Sequence, residues 1–224
     1  MSYLHVVPQW FFGFDIAMES LFAVTAALVA LYSFYIYHFS KQREIRLFGV
    51  GFLFISLAYV FKVFLNMFVL SEVSGGLLRA SLEQLSQIGL IAAYANILFF
   101  MMGLVTLAYM SFKRRSLRLY ALLTALSLVP LIFSADRVNL FMVISALLLA
   151  LLCAHYFKEY FIGKNKRTLS MLVAFSLLLA SNIWTFIASE SYYLAFVIGL
   201  FIELAAYLLI MMNLFLTIRR APYA

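Results

Sequence analysis

The sequence predicts an all-α integral membrane protein, a bundle of seven transmembrane helices forming a single domain over residues 1–224. Three observations predict it. Hydrophobic residues make up 67% of the chain and charged residues 11%, far from the roughly 45–50% and 25% of soluble domains. The apolar residues fall into long runs separated by short polar connectors. One span needs about 20 residues, so a chain of 224 residues holds about seven and little else. The basic residues gather in alternate connectors, which marks a polytopic chain of fixed orientation.

Span 1, about residues 12–39, opens on Trp10-Phe11-Phe12-Gly13-Phe14-Asp15-Ile16-Ala17-Met18-Glu19 and ends at the connector Lys41-Gln42-Arg43-Glu44-Ile45-Arg46. Span 2, about 47–70, follows almost without a loop, and Ser71 to Gly76, closing on Gly75-Gly76, reads as a turn. From Leu77 a helical pattern runs through Leu82, Gln84, Gln87 and Ile88 into span 3, about 77–112, whose length places its first two turns outside the membrane. Lys113-Arg114-Arg115-Ser116-Leu117-Arg118 leads into a short span 4, about 119–133, with Pro130 near its end. Spans 5, 6 and 7 follow at about 138–162, 169–188 and 192–218. The amino terminus lacks the basic region and small-residue cleavage site of a signal peptide, so span 1 is expected to be retained.

Orientation follows from the bases. Thirteen lie in the connectors after spans 1, 3 and 5 and in the tail after span 7, namely Lys41, Arg43, Arg46, Lys113, Arg114, Arg115, Arg118, Lys158, Lys164, Lys166, Arg167, Arg219 and Arg220. The opposite side has Arg79 and Arg137, and Lys62 is inside a span. The positive-inside rule then places the amino terminus outside and the carboxyl terminus in the cytoplasm. A net charge of +7 is therefore a topology signal rather than the sign of a nucleic-acid partner. No soluble catalytic domain fits beside the spans, so the chain is not expected to be an enzyme. Cys153 is alone and forms no intrachain disulfide.

An internal duplication is also expected. Ile88-Gly89-Leu90 followed by Met101-Met102 returns as Ile198-Gly199-Leu200 followed by Met211-Met212 at the same spacing. Phe22, Val24, Ala27, Leu28 and Tyr37 of span 1 meet Phe141, Val143, Ala146, Leu147 and Tyr156 of span 5 at a constant offset. Spans 1 to 3 and 5 to 7 would be parallel repeats joined by span 4, a known transporter plan.

The candidate site starts from Asp15 and Glu19, four residues apart on one helical face. At about 1.5 Å per residue they lie about 5 Å and about 11 Å below the outer boundary. Asn66 and Lys62, similarly spaced on span 2, come to about 6 Å and about 12 Å, and Asn182 to about 12 Å. Asn96 and Glu203 reach about 18 Å, near the midplane. Two carboxylates one turn apart in a low dielectric need a proton or a cation between them, and Lys62 is the base available within the spans. Asn182, Thr185 and Ser189 form a polar stripe on span 6, and Glu203 with Tyr207 forms another on span 7. These groups predict an outward-opening polar cavity lined by spans 1, 2, 3, 6 and 7, binding a small molecule or ion in a transporter or a receptor-like sensor. The competing reading takes the polar side chains as interhelical glue, worth about 0.6 kcal/mol each. It makes the chain a structural subunit of a larger membrane complex, with a protein partner or a second copy. Trp10, Phe11, Phe12, Tyr192 and Tyr193 fit an interfacial belt, and the Met pairs fit packing.

No cofactor is expected. Microbial rhodopsins share the seven-span plan, but retinal needs a lysine in the last span, and residues 193–218 have none. His38 and His155 fall at the cytoplasmic ends of spans 1 and 5, where interface anchoring is preferred to a haem. His5 lies on the opposite side from both, so no zinc site is supported. Pro8-Gln9 resembles the Pro-Gln dipeptide of small seven-span sugar and amino-acid carriers, although it precedes span 1 and has no second copy in span 5. The Trp10 to Glu19 pattern, the alanine-rich span 1 and Phe52-Leu53-Phe54-Ile55-Ser56 resemble an uncharacterised group of seven-helix membrane proteins from archaeal genomes. That resemblance covers about the first 65 residues. It implies a prokaryotic cell membrane and transfers no activity and no functional residue.

Overall fold

A segment with no water around it must satisfy its backbone internally, and a chain this apolar does so by coiling. The computed structural model describes residues 9–74, 82–112, 116–134, 136–188 and 193–220, and within them the regular elements are seven α-helices, with no strand. They are α1 (Gln9–Ser40), α2 (Arg43–Ser74), α3 (Leu82–Met110), α4 (Leu117–Phe133), α5 (Arg137–Gly163), α6 (Lys166–Ala188) and α7 (Tyr193–Arg220). Six of them, all but α4, are long and apolar enough to cross a membrane, so the surface of the bundle is a lipid-contacting one. At 17 residues, α4 is about 25 Å long, short of the roughly 30 Å hydrocarbon core. The assignments resting on His5, Pro8, Gly75-Gly76, Leu77, Arg79, Lys113 to Arg115 and Ser189 to Tyr192 lie outside the described residues. So do the side chains of the belt residues Trp10, Phe11, Phe12 and Tyr193 and of residues 82–90.

Two boundaries of α2 differ from expectation. Arg43-Glu44-Ile45-Arg46 is its first turn rather than connector, with Glu44 suited to the positive end of the helix dipole. The chain also stays helical through Ser74, because nothing in Ser71-Glu72-Val73-Ser74 breaks a helix before the glycine pair. The two-residue link between α1 and α2 turns at Lys41, whose φ of 54° is left-handed and whose N–H donates to the Tyr37 carbonyl at 2.9 Å. Lys164 repeats the device after α5, with φ 44° and a 2.7 Å bond to the Tyr160 carbonyl. Ser116 and Asp136 cap α4 and α5 by accepting from the Leu119 and Asn139 amides.

Helix adjacency among the described residues traces a ring in the order α1, α2, α3, α5, α6, α7 and back to α1. Outside the ring, α4 packs against α3 and α5. Its Tyr120 hydroxyl meets that of Thr106 at 3.2 Å. Where α2 crosses α3, two glycines face each other. A Cβ added to Gly103 would stand 2.6 Å from Ile55 Cγ1 and 2.8 Å from the Gly51 carbonyl oxygen, and one added to Gly51 would stand 2.8 Å from the Leu107 side chain. Small residues let membrane helices approach this closely where lipid leaves no hydrophobic drive between them. Side-chain hydroxyls tie other pairs through backbone carbonyls. Ser56 donates to Ala23 across α2 and α1, and Ser181 to Gly199 across α6 and α7, both at 2.9 Å. The core inside the ring is aromatic and aliphatic, with Phe22, Phe52, Ile55, Met101, Leu152, Phe175 and Ile210 among its fully buried side chains. Met101 is thus a packing residue, whereas Met212 faces outward.

Because backbone atoms cannot retreat, Gly103→Ala should separate α2 from α3 and cost about 1–3 kcal/mol. Gly13→Ala has open space around it and serves as the control. Thermal unfolding of both variants in one detergent checks this, and equal midpoints would contradict the glycine crossing.

Candidate functional site

One turn of helix separates Asp15 from Glu19 on α1, and the same spacing recurs between Lys62 and Asn66 on α2 and between Glu203 and Tyr207 on α7. These three faces converge. Glu19 is fully buried and its Oε1 lies 2.8 Å from Lys62 Nζ. Asn66 Nδ2 donates to Glu19 Oε2 at 2.7 Å and reaches Asp15 Oδ2 at 3.5 Å. Both oxygens of Glu19 are therefore engaged, while Asp15 Oδ1 is buried and has no hydrogen-bond partner among the described residues. The Lys62 side chain keeps 37% exposure, so part of it stays open beside the pair.

A second link runs from α2 to α7. The Tyr59 hydroxyl donates to Glu203 Oε1 and accepts from the Tyr207 hydroxyl at 3.3 Å. Phe22 packs on both tyrosine rings, with centroids 5.2 Å and 5.7 Å away. The opposite side of the ring carries an uncharged cluster in which Asn182 Nδ2 donates to Ser145 Oγ at 2.7 Å, bridging α6 to α5. Ser145 in turn donates to the Met142 carbonyl, and Asn182 Oδ1 is left buried with no partner.

Between the two clusters the ring encloses a cavity of about 130 Å³. Lys62, Asn96, Asn182, Glu203 and Tyr207 line it, as do Tyr59 and Thr185. Six phenylalanines also line it, one from each helix of the ring: Phe22, Phe52, Phe100, Phe141, Phe175 and Phe196. Among the described residues no hydrogen bond is made by Asn96 or by Glu203 Oε2.

Two features of the wall differ from the arrangement expected of the sequence. Helix α5 takes part through Phe141, Met142 and Leu149, because α3 and α5 are adjacent in the ring with α4 displaced outside. Asp15, Glu19 and Asn66 are not in the wall; Glu19 is paired with the wall residue Lys62, and Asp15 and Asn66 stand one turn nearer the end of the bundle where α1 begins. Ser189, the last member of the stripe on α6, lies outside the described residues. The spacing argument missed Tyr59, Ser145 and Met142. Tyr59 lies three residues before Lys62 on the same face, a signal that could have found it.

Across the α1–α2 cluster and the α2–α7 link the acids Asp15, Glu19 and Glu203 outnumber the single ammonium of Lys62, so full ionisation would leave the region at −2. Protons or a bound cation must balance that charge in so apolar a setting. His155 is elsewhere, 3.4 Å from Glu159 on its own helix, and the described residues contain no group of three His, Cys, Asp or Glu side chains able to hold a metal. Comparison with known proteins finds no matching family model, no matching curated protein and no matching solved structure.

Lys62→Met strips the cation from a buried carboxylate. It should lower stability by about 3 kcal/mol, the lower end for a broken buried pair because Lys62 is only partly enclosed. Adding Glu19→Gln should restore most of that loss. Thermal midpoints of the single and double variants provide the test, and a double variant less stable than Lys62→Met would count against the pairing.

Proposed function

We propose that this chain is a polytopic membrane protein that binds a small polar molecule or ion in the cavity of its helix ring, as a carrier or receptor-like sensor and not as an enzyme. One observation carries the reading: the polar atoms of Asn96, Asn182 and Glu203 that lack partners among the described residues belong to side chains lining one cavity. Polar groups in a membrane interior are costly, and a concave site with a few of them in an apolar wall is the usual form of a ligand pocket.

The order of helices around the ring favours the carrier. Helices α1, α2, α3 and α5, α6, α7 have the same neighbours in the same order, and the ring closes through α3 beside α5 and α7 beside α1. Two parallel three-helix repeats joined by α4 would pack in this way, and repeat-built transporters hold their substrate between the repeats, near the midplane. In this reading α4 is the seventh span, the amino terminus is outside and the cavity lies in the outer half of the membrane. The resemblance in the first third of the chain adds a prokaryotic cell membrane as the setting.

A second reading has one observation in its favour. Glu19 is satisfied by Lys62 and Asn66 within this chain, as a structural pin would be. On that reading the protein is a non-catalytic subunit of a larger membrane complex.

Native mass spectrometry of the protein gently extracted from its own membranes, beside Glu203→Gln, separates the two. A small molecule retained by the parent and lost from the variant is the expected result. A stoichiometric protein partner with no small molecule in either form would establish the second reading instead. Topology has its own check. Reporters at the two termini should respond on opposite sides of the membrane, the carboxyl-terminal one in the cytoplasm; both on one side would remove α4 from the spans.

A further inference from the structure

The geometry points to a small primary organic ammonium ion as the ligand of this cavity, an inference that rests on the binding reading given above. Charge is the first ground. The ammonium of Lys62 is paired with Glu19 at 2.8 Å, and among the described residues neither Asp15 nor Glu203 has a cation within ion-pairing distance. Glu203 lines the cavity, so a ligand there adds most by bringing a positive charge. Lys62 shares the wall, but its charge is already matched.

The unspent hydrogen-bonding atoms are the second ground. Asn182 is oriented by its bond to Ser145, whose own hydroxyl donates elsewhere, so the oxygen of Asn182 is the atom left over. Glu203 Oε2 is likewise without a donor among the described residues. Both are acceptors, and Asn96 can add a third. An ammonium group with three N–H donors answers that set. A dehydrated metal cation does not, since calcium takes 6–8 oxygens and most of this wall is hydrocarbon.

The apolar wall and the volume are the third ground. Phe22, Phe52, Phe100, Phe141, Phe175 and Phe196 surround the cavity, and aromatic faces attract a cation while accepting its alkyl group. A cavity of about 150 Å³ is known to accept a benzene. The about 130 Å³ here therefore admits a molecule of about five or six heavy atoms.

Equilibrium dialysis of the full chain in lipid nanodiscs, with empty nanodiscs subtracted, tests the class using three probes of one size at pH 7: n-butylamine, 1-butanol and butyrate. Saturable binding of n-butylamine at one per chain, at least tenfold tighter than either other probe, is expected, and Glu203→Gln should weaken it at least tenfold. Preference for butyrate or 1-butanol would overturn the ammonium class while leaving a binding cavity in place. Saturable binding of none of the three would overturn both the class and the binding reading. The comparison among probes uses the unaltered protein, so it stands even if Glu203→Gln fails to fold.

Discussion

A carboxylate with no solvent exposure sits inside an apolar span of this chain, and the register of its neighbours depends on keeping it satisfied. Glu19 has its two oxygens on Lys62 and Asn66, which are one turn apart on α2 because Glu19 and Asp15 are one turn apart on α1. A slide of α1 against α2 by a single residue would rotate both faces and strand the acid. An unpaired charge in that setting costs several kcal/mol, more than any single packing contact can recover. Tyr59 extends the constraint to α7 through Glu203, so three of the six ring helices are indexed to one another by polar groups. The remaining junctions use smaller devices: the facing glycines of α2 and α3, the Ser181 bond to Gly199 and the Asn182 bond to Ser145.

A ring of six helices does not close its own centre unless large side chains fill it. Phe22, Phe52 and Tyr207 do so on one level, with Tyr207 edge-on to Phe52 at 6.4 Å, and Phe175 stacks on Tyr156 at 5.2 Å on another. Between these fillers the cavity remains. Its chemistry is lopsided: charged side chains come from α2 and α7, and the facing α5 and α6 offer amide and hydroxyl groups. The two halves that share a helix order do not share their polar residues.

The membrane class and the helix positions were legible because composition and apolar run length depend on no tertiary contact. Even the acid-to-base meeting of α1 and α2 could be read, since spacings of four define a face and Lys62 was the base available in the spans. Ring closure was not legible. Spacing along one helix names a face but not the neighbour it meets, and that is why α5 was missing from the expected wall and Asp15, Glu19 and Asn66 were placed in it. Tyr59 was hidden differently: in a chain with 14 tyrosines, one more at the right spacing carries no distinguishing mark until its hydroxyl is seen against Glu203. The ends of α2 were misjudged because a charged turn looks like a connector until its dipole role is considered.

Whether the polar set is glue or a binding wall turns on which atoms are spent. Glue spends its polar atoms on other helices, and Glu19 does so with one oxygen hydrogen-bonded to Asn66 and the other ion-paired with Lys62. The wall residues do not behave alike. Glu203 uses one oxygen, Asn182 uses its nitrogen and not its oxygen, and Asn96 uses neither, while all three line the same cavity. Tyr59 and Tyr207 reinforce the difference, because they hold Glu203 from one side and leave its other oxygen unengaged. A structural pin accounts for the α1–α2 interface and for nothing in that second group. Polar capacity left over in one cavity, within a bundle that satisfies the hydroxyls of Thr25, Ser33, Ser56 and Ser181 through backbone carbonyls, is what a ligand would complete.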